Sequence, residues 1–202
     1  MKKKTPLIQA QDIIKQHGGI VRTTTALQNG IHPRILYQLR DRGILEELSF
    51  GLYRLAHLPP LSNPDFVITA MRIPRAVICL VSALSFYELT TQVPHHLAIA
   101  LPKGTKEPVL KYPPIQVHHF SSPAYEEGIE EYDIDSVSVR IYSIEKTLAD
   151  CFKFRNKIGM DIVLESLKLY QRNRQCKFNE LMKYAKICRI EKLIFPYVEM
   201  IV

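Results

Sequence analysis

The chain has 202 residues, 47% of them hydrophobic and 23% charged, which fits one large domain or two small ones with a buried core and excludes a disordered chain. Its formal charge of +7 sits at the two ends: residues 1–57 carry 9 Lys+Arg against 4 Asp+Glu (net +5), residues 58–144 carry 6 against 9 (net −3), and residues 145–202 carry 12 against 7 (net +5). That distribution suits a polyanionic partner, while the strongest apolar run, AVICLVSALSFYEL, is about 14 residues long and contains Ser82, Ser85 and Glu88, too short and too polar for a membrane span.

The opening MKKKTPLIQAQ has the charge of a signal peptide without its apolar stretch or small-residue cleavage site, so no targeting segment is expected. Thr5-Pro6 reads as a cap and first-turn pair, and Leu7, Ile8, Ile13 and Ile14 recur on one side of a first helix that Gly18-Gly19 stops. After the short extended piece Ile20-Val21, Thr23 is expected to cap a short second helix ending at Asn29-Gly30. Pro33, with the fixed backbone angle wanted at a first helical position, opens a third helix that runs to about Arg42. On a helical wheel Ile35, Leu36 and Leu39 share the core side, which leaves Arg34, Tyr37 and Asp41 opposite, with Gln38 and Arg40 on the flanks. Gly43 ends this helix, and two β-rich runs follow, 44–48 and 52–55, joined by a turn at 49–51.

Three short helices followed by a β-hairpin are the order of a winged helix, in which the third helix enters the major groove of DNA and the hairpin lies along the backbone. The residue types agree with that placement. Arg34 and Gln38 have the donors for base edges, Tyr37 can meet a thymine methyl or a phosphate, and Arg22, Thr23, Arg42 and Arg54 are expected to contact phosphates and fix the register. Asp41 is a discordant charge that a neighbouring arginine can neutralise. The plainer reading is a polar, solvated helix face. Winged helices also bind proteins, so the fold alone leaves the partner open.

HLPPLSNP, residues 57–64, is turn-rich and marks a boundary, giving a winged-helix domain over 1–58 and a second domain over 59–202. Asn63-Pro64 caps a new helix, Pro74 interrupts it, and the apolar stretch to Leu89 reads as its buried continuation. Strands are expected at 96–101, 115–120, 129–134 and 137–142, broken by the turns Pro102-Lys103-Gly104 and Tyr112-Pro113-Pro114. Ser143 caps the helix IEKTLADCFKFRNK, with Glu145 in its first turn, and three further helices follow at 161–171, 178–188 and 191–202. The fold class is therefore α+β: an N-terminal winged helix-turn-helix, then a mixed α/β domain ending in helices. The last helices carry Lys153, Arg155, Lys157, Arg172, Arg174 and Lys177, then Lys183, Lys186, Arg189 and Lys192, a second basic surface or an ordinary solvated face.

No catalytic set emerges. Asp133-x-Asp135 resembles half of a two-metal carboxylate pair, but no Gly-Ser phosphate-holding turn lies upstream and no third carboxylate is evident, so a solvated strand end is the expectation. Glu145-Lys146 lacks the intervening position that would aim both side chains of a nuclease pair from one strand face. His95-His96 and His118-His119 are neighbours that a strand points to opposite faces, which disfavours a metal site. No phosphate-binding glycine loop or Gly-x-Ser-x-Gly elbow is present. Cys79, Cys151, Cys176 and Cys188 are widely spaced in apolar surroundings and read as reduced thiols of a cytoplasmic protein. Neither metal nor cofactor is expected.

LQNGIHPRILYQLRDRGILEELSFGLYRL, RIPRAVICLVSALSFYELTTQVPHHLAIALPKG, VRIYSIEKTLADCFKFRNKIGMDIVLESL and YAKICRIEKLIFPYVE together resemble the AbiEi-type antitoxins and the transcriptional regulators grouped with them. The most specific parts are Ser82-Ala83-Leu84, Pro102-Lys103-Gly104, Glu145-Lys146-Thr147 with Asp150, and Pro196-Tyr197 with Glu199. The resemblance implies a non-enzymatic component of a type IV toxin-antitoxin system. Its winged helix would repress its own promoter by binding a double-stranded DNA operator, and its C-terminal domain would oppose a nucleotidyltransferase-like toxin without a stable complex. Carried over, Arg34, Tyr37 and Gln38 are the DNA-reading positions and Arg54 lies on the wing. A stand-alone regulator or a protein-interaction module without a cognate toxin is the alternative.

Overall fold

The computed structural model describes residues 5–172 and 176–200, so Arg174 and the expected end of the last helix at 201–202 lie outside the described residues. The fold is α+β, an N-terminal winged helix followed by a mixed sheet and C-terminal helices. Two compact units are present, Met1–Pro74 with Asp133–Ser138, and Arg75–Tyr132 with Val139–Val202.

The first unit runs α1 (Pro6–Gln16), β1 (Ile20–Arg22), α2 (Thr23–Gln28), α3 (Pro33–Asp41), β2 (Leu45–Ser49), β3 (Leu52–Leu55) and α4 (Pro64–Arg72). Its sheet has the order β1-β3-β2 with both pairings antiparallel, so the wing hairpin gains a third strand from the segment between α1 and α2. Gly19 suits that return, since its φ of +82 is a left-handed backbone that other residues rarely adopt. Ala10, Ile14, Ala26, Leu36 and Leu39 from the three helices pack with Val21, Leu45, Tyr53 and Leu55 from the sheet into one core. Pro33 occupies the first turn of α3, and His32 Nδ1 accepts the Arg34 N–H at 3.2 Å, which caps the helix and fixes its start.

The Asp133–Ser138 segment is the tip of the hairpin between β7 (Ile129–Ile134) and β8 (Val137–Tyr142). Asp135 and Ser136 have φ of +53 and +66, the pair of left-handed residues a tight two-residue hairpin turn requires. Asp133 Oδ1 accepts the Ser136 N–H at 3.0 Å, and Asp135 Oδ2 accepts from the Ser62 N–H at 2.9 Å and the Ser62 hydroxyl at 3.0 Å. The Asp133-x-Asp135 carboxylates thus hold a turn and a neighbouring loop.

The second unit is built on a five-stranded mixed sheet of order β6-β5-β4-β8-β7, with β4 (Val77–Ile78), β5 (Leu97–Pro102) and β6 (Ile115–Phe120). The long buried helix expected through residue 89 is replaced by β4 and the short α5 (Leu80–Phe86). Val77 and Ile78 are β-branched and fully enclosed, and pair antiparallel with Ala100 and Ile99 on one side while Ile78 pairs parallel with Ile141 on the other. A short apolar run buried on both faces carries no alternation, so its spacing does not separate strand from helix. The expected helix through Lys157 also breaks, at Phe154, into α7 (Ile144–Lys153) and α8 (Arg155–Ile158). α6 (Ser122–Glu126), α9 (Met160–Arg172), α10 (Phe178–Ile187) and α11 (Glu191–Glu199) complete the unit.

α7 is buried along almost its whole length. Ser143 Oγ accepts the Lys146 N–H at 3.3 Å as its cap. One turn on, Lys146 and Asp150, 0% and 1% exposed in their side chains, form an ion pair at 2.5 Å. The ammonium also lies over the rings of Tyr142 (4.3 Å) and Phe120 (4.9 Å), and Asp150 Oδ1 accepts from the Cys188 thiol. Gly128 backs onto this lysine: a Cβ there would sit 2.7 Å from Lys146 Cβ. Glu145 accepts the Tyr170 hydroxyl at 2.9 Å. Every member of the Glu145-Lys146-Thr147/Asp150 motif is therefore a core residue with an internal partner, Thr147 donating to Tyr142 O at 3.2 Å.

None of the four cysteines is in a disulfide, and burial pushes all four thiols up, Cys188 to about 12. Among the described residues no helix is long and apolar enough to cross a membrane.

Candidate nucleic-acid interface

α3 presents Arg34, Tyr37, Gln38, Asp41 and Arg42 to solvent while Leu36 and Leu39 are fully enclosed. The separation follows from the 3.6-residue period of the helix. Tyr37 is 47% exposed, and its ring supports the Arg40 guanidinium at 5.3 Å.

The charges on this face are arranged so that acids are neutralised and selected arginines are not. Arg40 donates through Nε (3.1 Å) and NH2 (2.9 Å) to Asp41 Oδ1, and its NH1 lies 3.7 Å from Glu47 Oε2. The discordant Asp41 thus has its counter-charge on the same helix. Glu47 Oε1 also accepts the Gly51 N–H at 3.1 Å, which ties the wing turn together. Arg22, Arg34 and Arg42 form no ion pair among the described residues and leave a net positive surface.

Arg22 and Thr23 lie where β1 passes into α2, both half-buried. Thr23 is the first residue of α2 rather than its cap, because its hydroxyl donates to Gly51 O at 3.2 Å, beside the Thr23 N–H on the same carbonyl at 2.9 Å. The start of α2 is in this way fastened to the wing. Arg22, Thr23, Tyr37, Phe50, Gly51 and Arg72 border a depression of about 250 Å³.

Arg54 is placed elsewhere. It is 5% exposed, and its guanidinium donates to Glu46 Oε1 at 2.6 Å and to Pro59 O. β3 is the middle strand of its sheet, flanked by β1 and β2, and all four of its residues are buried. Arg54 holds the base of the wing against the 57–60 segment, with its guanidinium engaged inside the domain.

Two residues that sequence reasoning passed over join the face. Phe50, at the wing tip, is 83% exposed, and Arg72 from α4 donates to Phe50 O at 2.8 Å, bracing the tip from behind. The signal for Phe50 was present in Ser49-Phe50-Gly51, a large aromatic residue in a turn with no core position to fill. Arg72 carried none, since its contact spans 22 residues.

Gly51 has φ +69, and a Cβ would meet Thr23 Oγ1 at 3.1 Å. A Gly51→Val variant should therefore destabilise the wing by about 1–2 kcal/mol from the left-handed backbone alone, read as a lower denaturant midpoint.

His95 and His96, exposed on the loop before β5, border the same depression as the buried His118 of β6, whereas His119, on the other face of that strand, approaches Thr105 O through Nε2 at 2.9 Å. Among the described residues no group of three or more His, Cys, Asp or Glu is placed to hold a metal ion. Of the basic C-terminal helices, Lys183 pairs with Glu127 and Glu180 and Lys186 with Glu191, while Arg155, Arg189 and Lys192 share a depression with Lys186 and Glu191 at the α10–α11 turn.

Residues 9–56, the winged-helix segment, match the family described as transcriptional regulator, AbiEi antitoxin. Among solved structures the chain is similar to the crystal structure of the RV2827C protein from Mycobacterium tuberculosis, with 13% identity and a TM-score of 0.58 over 92% of this chain and 72% of that one, a likeness of fold. No curated protein matches the chain.

Proposed function

We propose that this chain, whose residues 9–56 match the AbiEi-type transcriptional regulators, is a non-enzymatic cytoplasmic repressor that binds a double-stranded DNA operator through α3 and the wing. The observation that carries the reading is the charge arrangement on α3. Asp41 on α3 and Glu46 and Glu47 on β2 are paired within the domain with Arg40 and Arg54, while Arg34, Gln38 and Arg42 remain exposed beside Tyr37. Arg34 and Gln38 read base edges in the major groove, Tyr37 packs on a thymine methyl or a phosphate, and Arg22, Thr23 and Arg42 position the backbone. Residues 1–58 form the DNA-binding domain in this reading and 59–202 the AbiEi-like domain, although compact packing groups α4 and the 133–138 tip with the former.

Repression would fall on the chain's own promoter, and the C-terminal domain would oppose a nucleotidyltransferase-like toxin. The motifs from Ser82-Ala83-Leu84 to Pro196-Tyr197 support that assignment.

The test is titration of the intact protein against duplex DNA from upstream of its own gene at several salt concentrations. Two unpaired arginines on phosphates, Arg22 and Arg42, predict a slope of log K against log salt of about −2 per bound copy. Binding that ignores salt, or that does not distinguish the upstream duplex from scrambled DNA, would leave the protein-interaction module as the better account. Co-expression with a neighbouring nucleotidyltransferase-like gene, if one is present, then separates antitoxin from stand-alone regulator by growth rescue.

A further inference from the structure

The second unit contains a pocket of about 290 Å³ that the DNA-binding reading does not use. It is bordered by the start of α5, the loop before β5, the outer strand β6, and the α8–α9 turn. That volume is at the lower edge of small-molecule sites. Gln116 and His118, two apart on β6, are on the same strand face and both line it, with Lys157 from α8. No Asp or Glu is among its lining residues. Leu80, Val81, Ile158 and Ile162 make its apolar side, and Gln92, His95 and His96 from the loop before β5 add polar groups at its border.

Three observations mark this pocket as more than a packing gap. His118 is only 8% exposed, yet its Nε2 is enclosed without a hydrogen-bond partner, a cost that a core histidine ordinarily avoids. Lys157 has no ion pair among the described residues, and its ammonium rests 5.8 Å over the Phe154 ring, the ring that His118 meets edge-on at 5.5 Å. Leu80, on the wall, is a bulky residue at φ +49, and backbone strain of this kind collects at ligand clamps.

We infer that this pocket binds a small amphipathic carboxylate, its carboxyl group meeting Lys157 and the polar side chains of β6 and its hydrocarbon body lying between Leu80, Ile158 and Ile162. Lys157 is the one lysine or arginine among the lining residues and balances a monoanion, whereas a phosphate dianion would call for a cluster of cations. The all-donor character of Lys157 and the absence of lining carboxylates turn away amines. Burial, then Lys157 and His119, holds His118 below the usual histidine range, so the imidazole offers an N–H hydrogen bond without a second full charge.

The experiment is isothermal titration of the full chain with benzoate and with hexanoate, beside benzyl alcohol and hexylamine as matched neutral and cationic probes. At least one carboxylate should bind saturably in the millimolar range or tighter, and the alcohol and amine should not. Lys157→Gln, a surface change that leaves the core intact, should weaken binding about tenfold or more through loss of a charged hydrogen bond. Ile162→Trp, which fills the pocket from its apolar side, should abolish it, with the far-ultraviolet dichroism of both variants confirming the fold. The inference is overturned if neither carboxylate binds saturably up to tens of millimolar, if the alcohol or amine binds as well, or if Lys157→Gln binds as the parent does. None of these readings involves DNA, so the outcome is independent of the operator-binding proposal.

Discussion

Replacing Lys146 by methionine should destabilise the second unit by about 3–5 kcal/mol, because it leaves Asp150 buried at 1% exposure with no counter-charge. For a chain of this size that loss lowers the thermal midpoint by roughly 10 °C, measurable by calorimetry or by dichroism. Burial already holds the Asp150 carboxyl above its usual range, with Lys146 as the largest opposing influence and the Cys188 thiol contributing less. Removing the lysine pushes the carboxyl further up. A folded-state value raised above the unfolded one favours the native state below the unfolded value and is lost as pH rises through the folded value. The deficit of Lys146→Met relative to the parent should accordingly shrink on acidification and be largest at neutral pH. A deficit that does not vary with pH would mean that Asp150 is not the group left stranded. The paired variant Lys146→Met with Asp150→Leu should recover most of the stability, since replacing both charges by apolar groups removes their desolvation cost; failure to recover would instead point to the lysine's contacts with Tyr142 and Phe120 as the larger part.

The same motif shows what the sequence exposes and what it conceals. Glu145-Lys146-Thr147 with Asp150 stands out as three consecutive polar residues and a fourth one turn later in an apolar helix, and adjacent Glu-Lys invites a catalytic reading. All four point inward in the structure, because α7 is enclosed on nearly every side and its polar groups bond to Tyr142, Tyr170 and one another. Helical periodicity identifies a core side only when another side meets solvent.

The winged helix was legible for the complementary reason. Each of its helices has one solvated face, and its turns carry Gly18-Gly19, Asn29-Gly30, Pro33 and Gly43, so α3 and β3 fall at Pro33–Asp41 and Leu52–Leu55 beside expectations of 33–42 and 52–55. The Val77–Ile78 strand was read as helix because it becomes central only when a distant segment pairs with it, β8 with β4 across about 60 residues, and nothing local to AVIC announces that neighbour. The bonds of Arg54 to Glu46 and Pro59 are likewise tertiary contacts that LYRL by itself does not carry.

On the DNA-reading face the largest expected effect is that of Arg34→Ala combined with Gln38→Ala. Each side chain that makes a good bidentate contact to a base contributes about 1–3 kcal/mol of discrimination. The double variant should therefore lose about 3 kcal/mol or more on the operator, roughly a hundredfold in affinity, and much less on random duplex, where phosphate contacts dominate. Both residues are exposed on α3 and neither touches the core formed by Leu36 and Leu39, so thermal stability should stay within a few tenths of a kcal/mol of the parent. Arg22→Ala provides the contrast. Placed at the β1–α2 junction, it should weaken operator and random duplex alike and reduce the salt slope by about 1. Arg54→Ala separates the two kinds of role from a third, since its guanidinium is enclosed by Glu46 and Pro59 and its loss should appear first as lowered stability. Equal losses on both duplexes for Arg34→Ala with Gln38→Ala would assign α3 to backbone positioning, and base reading would then have to come from the wing tip around Phe50.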